Sequence, residues 1–210
     1  MHIVLASANK GKIAEIRELL LTLDPDLHVL GLDDYPSIGP VPEPGQTFEA
    51  NALYKAGYVC QRTGCIALAD DSGLEVDALN GAPGVYSARY SGEKATDKEN
   101  NAKLLKAMAH LKGKDRRARF SCVLAACAPN GEQLVVDGSW EGRIATSPQG
   151  GKGFGYDPLF IDLSSKRTAA EMTREEKSSR SHRGQALRKL VQMWPEFVAR
   201  AVRGQRTDDR

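Results

Sequence analysis

The chain opens on an unbroken apolar run, Ile3-Val4-Leu5-Ala6, and then carries apolar residues at helical spacing, Ile13, Ile16, Leu19, Leu20 and Leu23. The run predicts a strand over 2–7, and the three-and-four spacing predicts an amphipathic helix behind it, with Asn9 just ahead of its start. Asp24-Pro25-Asp26 ends that helix, and residues 27–32 offer a short second strand. Four prolines and two glycines between Pro36 and Gly45 then predict an irregular loop. The helical pattern returns with Thr47 or a neighbour as cap, Glu49 in the first turn, and Ala52, Leu53, Ala56, Val59 and Cys60 as the buried stripe. Ile66 to Ala69 read as a buried strand that Ser72-Gly73 breaks, followed by an apolar stretch from Leu74 to Leu79 and a shaped loop at Asn80-Gly81-Ala82-Pro83-Gly84.

Thr96-Asp97-Lys98-Glu99 has the form of a capping box, and Leu104, Leu105, Met108 and Leu111 continue a helix from it. Residues 117–128 predict a long strand that turns at Pro129-Asn130-Gly131-Glu132 and returns antiparallel over 133–140 as a hairpin. Pro158 to Ile161 predict a short strand. The last long helix is expected over about 184–202, with Leu187, Leu190, Val191, Trp194 and Val198 inward. Early alternation of strand and helix with a hairpin in the middle implies an α/β fold, a mixed, twisted central sheet flanked by helices. At 210 residues the chain is read as one domain over 1–203 with a frayed tail at 204–210.

Composition removes several classes of function. With 29 basic and 27 acidic residues the net charge is only +2, so a general electrostatic grip on nucleic acid is not indicated and phosphate binding has to be local. The apolar start is too short for a signal peptide, and no apolar run approaches the roughly 20 residues that a membrane helix needs. A soluble, cytoplasmic protein without membrane attachment is expected. Cys122 and Cys127 stand an odd number of positions apart on the predicted strand, facing opposite sides, which argues against a shared zinc and for reduced, buried thiols.

Four stretches carry candidate chemistry. Ala69-Asp70-Asp71-Ser72-Gly73-Leu74 brings two carboxylates to the end of a buried strand, where hard oxygen donors suit a magnesium ion. Neighbouring strand residues point to opposite faces, so only one of the pair need meet a given ion, and the same residue types also serve in turns. Ser7-Ala8-Asn9-Lys10-Gly11-Lys12 lies between strand and helix, where free amides, the helix dipole and two lysines favour a phosphate chain. It is not a Walker A loop, since the first glycine is missing and Ile13 stands where a magnesium-binding hydroxyl would follow the lysine. Gly150-Gly151-Lys152-Gly153-Phe154-Gly155-Tyr156-Asp157-Pro158 fails the dinucleotide pattern but sets two aromatics among glycines, so a ring could lie against a base or simply pack. Ser181-His182-Arg183, preceded by Lys177, supplies donors that suit the acceptor oxygen of a 6-oxopurine over the amino group of adenine.

In this order the pieces resemble the inosine/xanthosine triphosphate pyrophosphatase family, the dITP/XTP diphosphatases that convert non-standard purine nucleoside triphosphates to monophosphates. The similarity runs from residues 7–12 through Thr47-Phe48, Asn51-Ala52, residues 69–74, Pro-Gly-Val-Tyr-Ser-Ala-Arg-Tyr at 83–90 and Gly-Phe-Gly-Tyr-Asp-Pro at 153–158 to Ser-His-Arg at 181–183. The resemblance implies two lobes with the nucleotide in the cleft between them, Mg2+ as cofactor and a homodimer. It implies that Ser7, Ala8, Asn9, Lys10, Gly11 and Lys12 hold the phosphates with Lys55 as a further contact. Asp71 would be proton acceptor and metal ligand, Glu43 the second metal ligand, and Ser72 a substrate contact. Phe154, Gly155, Tyr156, Asp157, Lys177, His182 and Arg183 would surround the nucleoside. Where many relatives place an acidic residue directly before the asparagine, this chain has Glu49-Ala50-Asn51, and Glu49 receives no role.

The chemistry so implied is attack of a water, polarised by Asp71, on the α-phosphorus, with magnesium offsetting phosphate charge and the lysines holding the chain in line. Two other readings compete. A related pyrophosphatase for modified or pyrimidine nucleotides would share the fold and differ in base preference. A non-catalytic nucleotide or RNA binder using Arg116, Arg117 and Arg119 would leave Asp70 and Asp71 without a purpose and lacks an aromatic stacking series.

Overall fold

The structure, a computed structural model, describes residues 1–7 and 10–203, with nothing described of the side chains at positions 10–12 and 15. Six strands form one mixed sheet in the order β2-β1-β3-β4-β5-β6: β1 His2–Leu5, β2 His28–Gly31, β3 Ile66–Val76, β4 Arg117–Cys127, β5 Gln133–Ile144 and β6 Phe160–Asp162. β1 runs parallel to both β2 and β3, and β6 antiparallel to β5. The helices are α1 Lys10–Leu23, α2 Phe48–Thr63, α3 Asp97–Ala107, α4 Arg174–Arg180 and α5 His182–Arg203. Among the described residues no helix is long and apolar enough to cross a membrane. The expected tail at 204–210 lies outside the described residues.

The chain divides into two compact units, each assembled from separated segments. The first takes residues 1–71, 123–137 and the chain from 186; the second takes 72–122 and 138–185. In the first unit Val4, Ala6, Ala52, Ala56, Val59, Ala67, Ala69 and Ala125 pack one core, so α2 buries a stripe of mostly small residues against the parallel strands. In the second, Leu74, Val76, Leu104, Met108, Phe120, Trp140, Tyr156 and Phe160 pack another, built round large aromatics.

Most predicted elements are present, and the caps follow the expected chemistry. Thr47 accepts the Ala50 amide at the start of α2, and Thr96 with Glu99 closes a reciprocal capping box on α3. Three elements differ. β3 does not break at Ser72-Gly73 but runs unbroken to Val76, because Gly73 takes up extended backbone and the sheet outweighs its weak strand preference. Asp70 and Asp71 therefore lie within a strand, not at its mouth. β5 continues past Trp140 to Ile144; a Cβ on Gly142 would come within 2.4 Å of the Phe160 ring, so this glycine admits the neighbouring strand's phenylalanine rather than marking a turn. α4, absent from the sequence reading, starts at a capping box made by Thr173 and Glu176.

Candidate active site

In the first unit the carboxylate of Asp71 is buried, at 7% exposure, and held from α2. Asn51 Nδ2 donates to Asp71 Oδ2 at 3.0 Å, while Asn51 Oδ1 accepts the Gly45 amide at 2.7 Å. One turn on, Lys55 Nζ donates to Glu43 Oε1 at 2.7 Å and lies 3.7 Å from Asp71 Oδ1. The loop before α2 thus returns Glu43 to the helix that also holds Asp71, with one ammonium between two carboxylates. A Cβ on Gly45 would lie 2.8 Å from both Ala50 Cβ and Asn51 Oδ1, so only glycine lets this loop close on the helix. Leu5 of β1 stands level with Leu68 of β3, and the Ala6 amide donates to the Leu68 carbonyl at 2.8 Å. The acids that follow Leu68 on the longer β3 therefore lie level with the chain that leaves β1 at Ser7, just past the carboxyl end of β1, and α/β sheets commonly bind ligands where a parallel strand ends.

In the second unit the loop 153–157 is fixed at every residue while one ring is left out. Asp157 is buried, accepts the Phe154 amide at 3.0 Å and is ion-paired to Lys177. Gly153, at φ +79, is required there, since a Cβ would fall 2.0 Å from Asp157 Oδ2. The Gly155 amide donates to Asp97 Oδ2 at 2.6 Å, and Asn101 Nδ2 donates to the Gly155 carbonyl at 2.8 Å. Tyr156 is buried, and its hydroxyl donates to the Ser87 carbonyl at 2.9 Å. Burial pushes that phenol well above its usual range, with the charges of Tyr90 and Asp97 adding to the shift. Phe154 alone faces outward, 55% exposed, with Lys177 Nζ 4.9 Å and Arg183 Cζ 6.0 Å from its ring centroid. Arg183 Nη2 donates to Ser72 Oγ at 3.3 Å. His182 is buried as the first residue of α5, its ring stacked on Phe120 at 4.9 Å.

The Ham1 family model matches residues 3–193. The chain belongs to the Ham1 family. A Nitratidesulfovibrio vulgaris protein named dITP/XTP pyrophosphatase is 52% identical over 201 residues, covering 93% of this chain and 96% of that protein. A Streptococcus agalactiae protein of the same name is also 52% identical, over 196 residues; this chain spans 60% of its length. A solved Ham1 structure from Coxiella burnetii superposes with a TM-score of 0.87 at 46% identity, covering 93% of this chain and 99% of that one. The mixed six-stranded α/β architecture is that of the Ham1 structures.

Within this Ham1 chain the sequence-predicted residues gather in two groups. Glu43, Lys55 and Asp71 come together in the first unit. Ser72, Phe154, Gly155, Tyr156, Asp157, Lys177, His182 and Arg183 belong to the second, where Phe154, Asp157, Lys177 and Arg183 are joined directly. Ala8 and Asn9, and the side chains of Lys10 and Lys12, lie outside the described residues. Of the two aromatics expected to offer a ring, Phe154 does so and Tyr156 is packed into the core of its unit. Asn51, named above only within the family motif, has a role that its place as a polar residue one turn before Lys55 on a helix with an apolar stripe could signal.

The residues present fit a magnesium ion. Among the described residues no group of three or more His, Cys, Asp or Glu side chains converges. Magnesium, however, is usually held by one or two carboxylates and completed by water and substrate phosphates. Glu43 and Asp71 already share one cation, the Lys55 ammonium, so their oxygens converge on a single positive charge.

Proposed function

We propose that this chain is a nucleoside triphosphate pyrophosphohydrolase that converts non-standard purine nucleoside triphosphates, XTP, ITP and dITP, to the monophosphate and pyrophosphate, clearing them from the nucleotide pool. The observation that carries the reading is the joined set of buried Asn51, Asp71 and Lys55 with half-buried Glu43, in a chain whose relatives are named dITP/XTP pyrophosphatase. Lys55, with Ser7, Ala8, Asn9, Lys10, Gly11 and Lys12, binds the phosphates and keeps them in line. Asp71, oriented by Asn51, accepts the proton of the attacking water as its oxygen bonds to the α-phosphorus and the bond to the β-phosphate oxygen breaks. Mg2+ at Glu43 and Asp71 would offset the phosphate charge.

The nucleoside end falls to Phe154, whose exposed ring offers a face to a purine, with Gly155, Tyr156 and Asp157 holding that ring in place and Ser72 beside Arg183. Lys177, His182 and Arg183 surround it with donors, which meet the acceptor oxygen of a 6-oxopurine and leave the amino group of adenine unpaired. A homodimer in the cytoplasm belongs to the same proposal.

The test is pyrophosphate release from XTP, ITP, dITP, ATP and TTP, each with Mg2+ and with EDTA. The three deaminated purines should lead ATP and TTP by at least about a hundredfold in kcat/KM, and chelation should stop the reaction. Asp71→Asn should lose at least about a hundredfold in kcat while keeping its unfolding midpoint within a few degrees. An Asp71→Asn protein that turns over near the wild-type rate refutes the mechanism. A preference for TTP over ITP would move the assignment to pyrimidine or modified nucleotides.

A further inference from the structure

The first turn and a half of α3 carries two residues that the helix itself does not need where they stand. Thr96 and Glu99 already close its capping box. Asp97 and Asn101, one turn apart, instead take both polar groups of a single distant peptide residue: the Asp97 carboxylate accepts the Gly155 amide at 2.6 Å and the Asn101 amide donates to the Gly155 carbonyl at 2.8 Å. The residue so held is the one directly after Phe154 and adopts φ +60, a left-handed backbone that turns the chain sharply. Asn101 is buried, at 9% exposure, so its bond is made away from water and is costly to lose. On the other side of Phe154 the Asp157 carboxylate takes the Phe154 amide. Next along α3, Asn100 is tied to the segment that carries Ser87: its Nδ2 donates to the Ala88 carbonyl at 3.1 Å, and Ser87 in turn receives the Tyr156 hydroxyl. One helix end therefore fixes Gly155 directly and Tyr156 through Ser87, and the ring left outside this frame is Phe154.

We propose that Asp97 and Asn101 are positioning residues for nucleoside recognition: they clamp the Gly155 peptide so that the Phe154 ring is presented, already ordered, to the base. The clamp touches no substrate atom. It rests on the functional reading above and extends it to residues outside the predicted site. A ring held by its own backbone loses little freedom on meeting a base, so the clamp acts on affinity for the nucleoside and not on the chemistry at phosphorus. It predicts a separation that general loss of structure would not produce, because inorganic tripolyphosphate carries the phosphates without a base.

The experiment compares the full chain with Asn101→Asp, which removes the donor and sets a carboxylate against the Gly155 carbonyl. The second pair is Asp97→Ala, which removes the acceptor, and Asp97→Asn, which keeps an acceptor oxygen in the same shape. Steady-state hydrolysis of ITP and inhibition by tripolyphosphate are measured for each. Asn101→Asp and Asp97→Ala should raise the KM for ITP roughly tenfold with kcat within about twofold and tripolyphosphate inhibition unchanged, and Asp97→Asn should restore the wild-type KM. An unchanged KM in folded Asn101→Asp or Asp97→Ala overturns the clamp, as does a parallel rise in KM and in the tripolyphosphate inhibition constant. If Asn101→Asp does not fold, the Asp97 pair decides alone. Failure of the wild-type chain to release pyrophosphate from any deaminated purine would overturn the functional reading and the clamp with it, whereas normal wild-type kinetics with an unmoved KM overturns the clamp only.

Discussion

Asn51 uses its one amide in two directions, donating to Asp71 and accepting from Gly45, so a single side chain fixes both the acid on β3 and the loop that brings Glu43. Asn51→Ala releases both, and the expected result is a fall in kcat/KM of about a hundredfold, the scale at which misplacing a reacting group by an ångström is felt. Asn51→Asp should be worse, since it sets a second carboxylate against Asp71; side-by-side kinetics with ITP check the order. Gly153 offers a second test. A methyl group there collides with the Asp157 carboxylate, and Gly153→Ala should break the Lys177 pair and raise KM while kcat changes little. At this scale Asp71 and Lys177 stood in local motifs of the sequence, whereas Glu43 and Lys55 entered only through the family resemblance. The sequence did not disclose the partners of Asn51 and Asn101, which lie 20 and 54 positions away, a pairing that only folding creates.

Elements in the second unit are joined by a buried arginine that the sequence suggested only as part of a basic strip. Arg116 gives its guanidinium to the carbonyls of Met108 and Leu111 at the end of α3 and of Ile144 and Ala145 at the end of β5. Burial lowers its pKa, yet the group stays charged in any ordinary buffer. Arg116→Met leaves these carbonyls unpaired, and urea unfolding should show a loss of about 3 kcal/mol, with Arg116→Lys intermediate. A second tie is Asp162 on β6, which takes Trp140 Nε1 at 3.0 Å, Ser164 Oγ at 2.8 Å and the Ser165 amide at 2.7 Å. Burial works to raise its pKa, but the bonds from Ser165, Trp140 and Ser164 together outweigh it and hold the carboxyl below the usual carboxylate range. With the folded value below the unfolded one, the stability Asp162 contributes is present above the unfolded pKa of about 4 and is lost as pH falls below it. The penalty of Asp162→Asn should accordingly be large in unfolding experiments at pH 7 and shrink in acid. Helices with long apolar periods and sharp caps were legible in the sequence. The unbroken course of β3 and the length of β5 were not, because Gly73 and Gly142 look like turns until a neighbouring strand supplies the hydrogen bonds and the ring that occupy them.

For the whole molecule, the assignment predicts linkage between ligand and stability. In Asp71→Asn, which should bind without turnover, ITP at a hundred times its Kd should stabilise by about 2.7 kcal/mol, and ATP at the same concentration should move the Tm far less; differential scanning fluorimetry reads both. The α/β class and the mixed sheet were legible from the alternation of elements and the central hairpin. A division in two entered only through the family resemblance, and its boundaries were not legible, since they fall inside β3, β4, β5 and α5. That interleaving has a temporal consequence. During synthesis from the amino terminus, every residue of the second unit has been made once Gln185 is added, whereas the first still lacks most of α5, with Leu190, Trp194 and Phe197. The acids at 70 and 71 are thus among the earlier residues made and among the last whose surroundings are complete, so a nascent chain stalled just after Gln185 should hold a folded second unit while the first is unfinished.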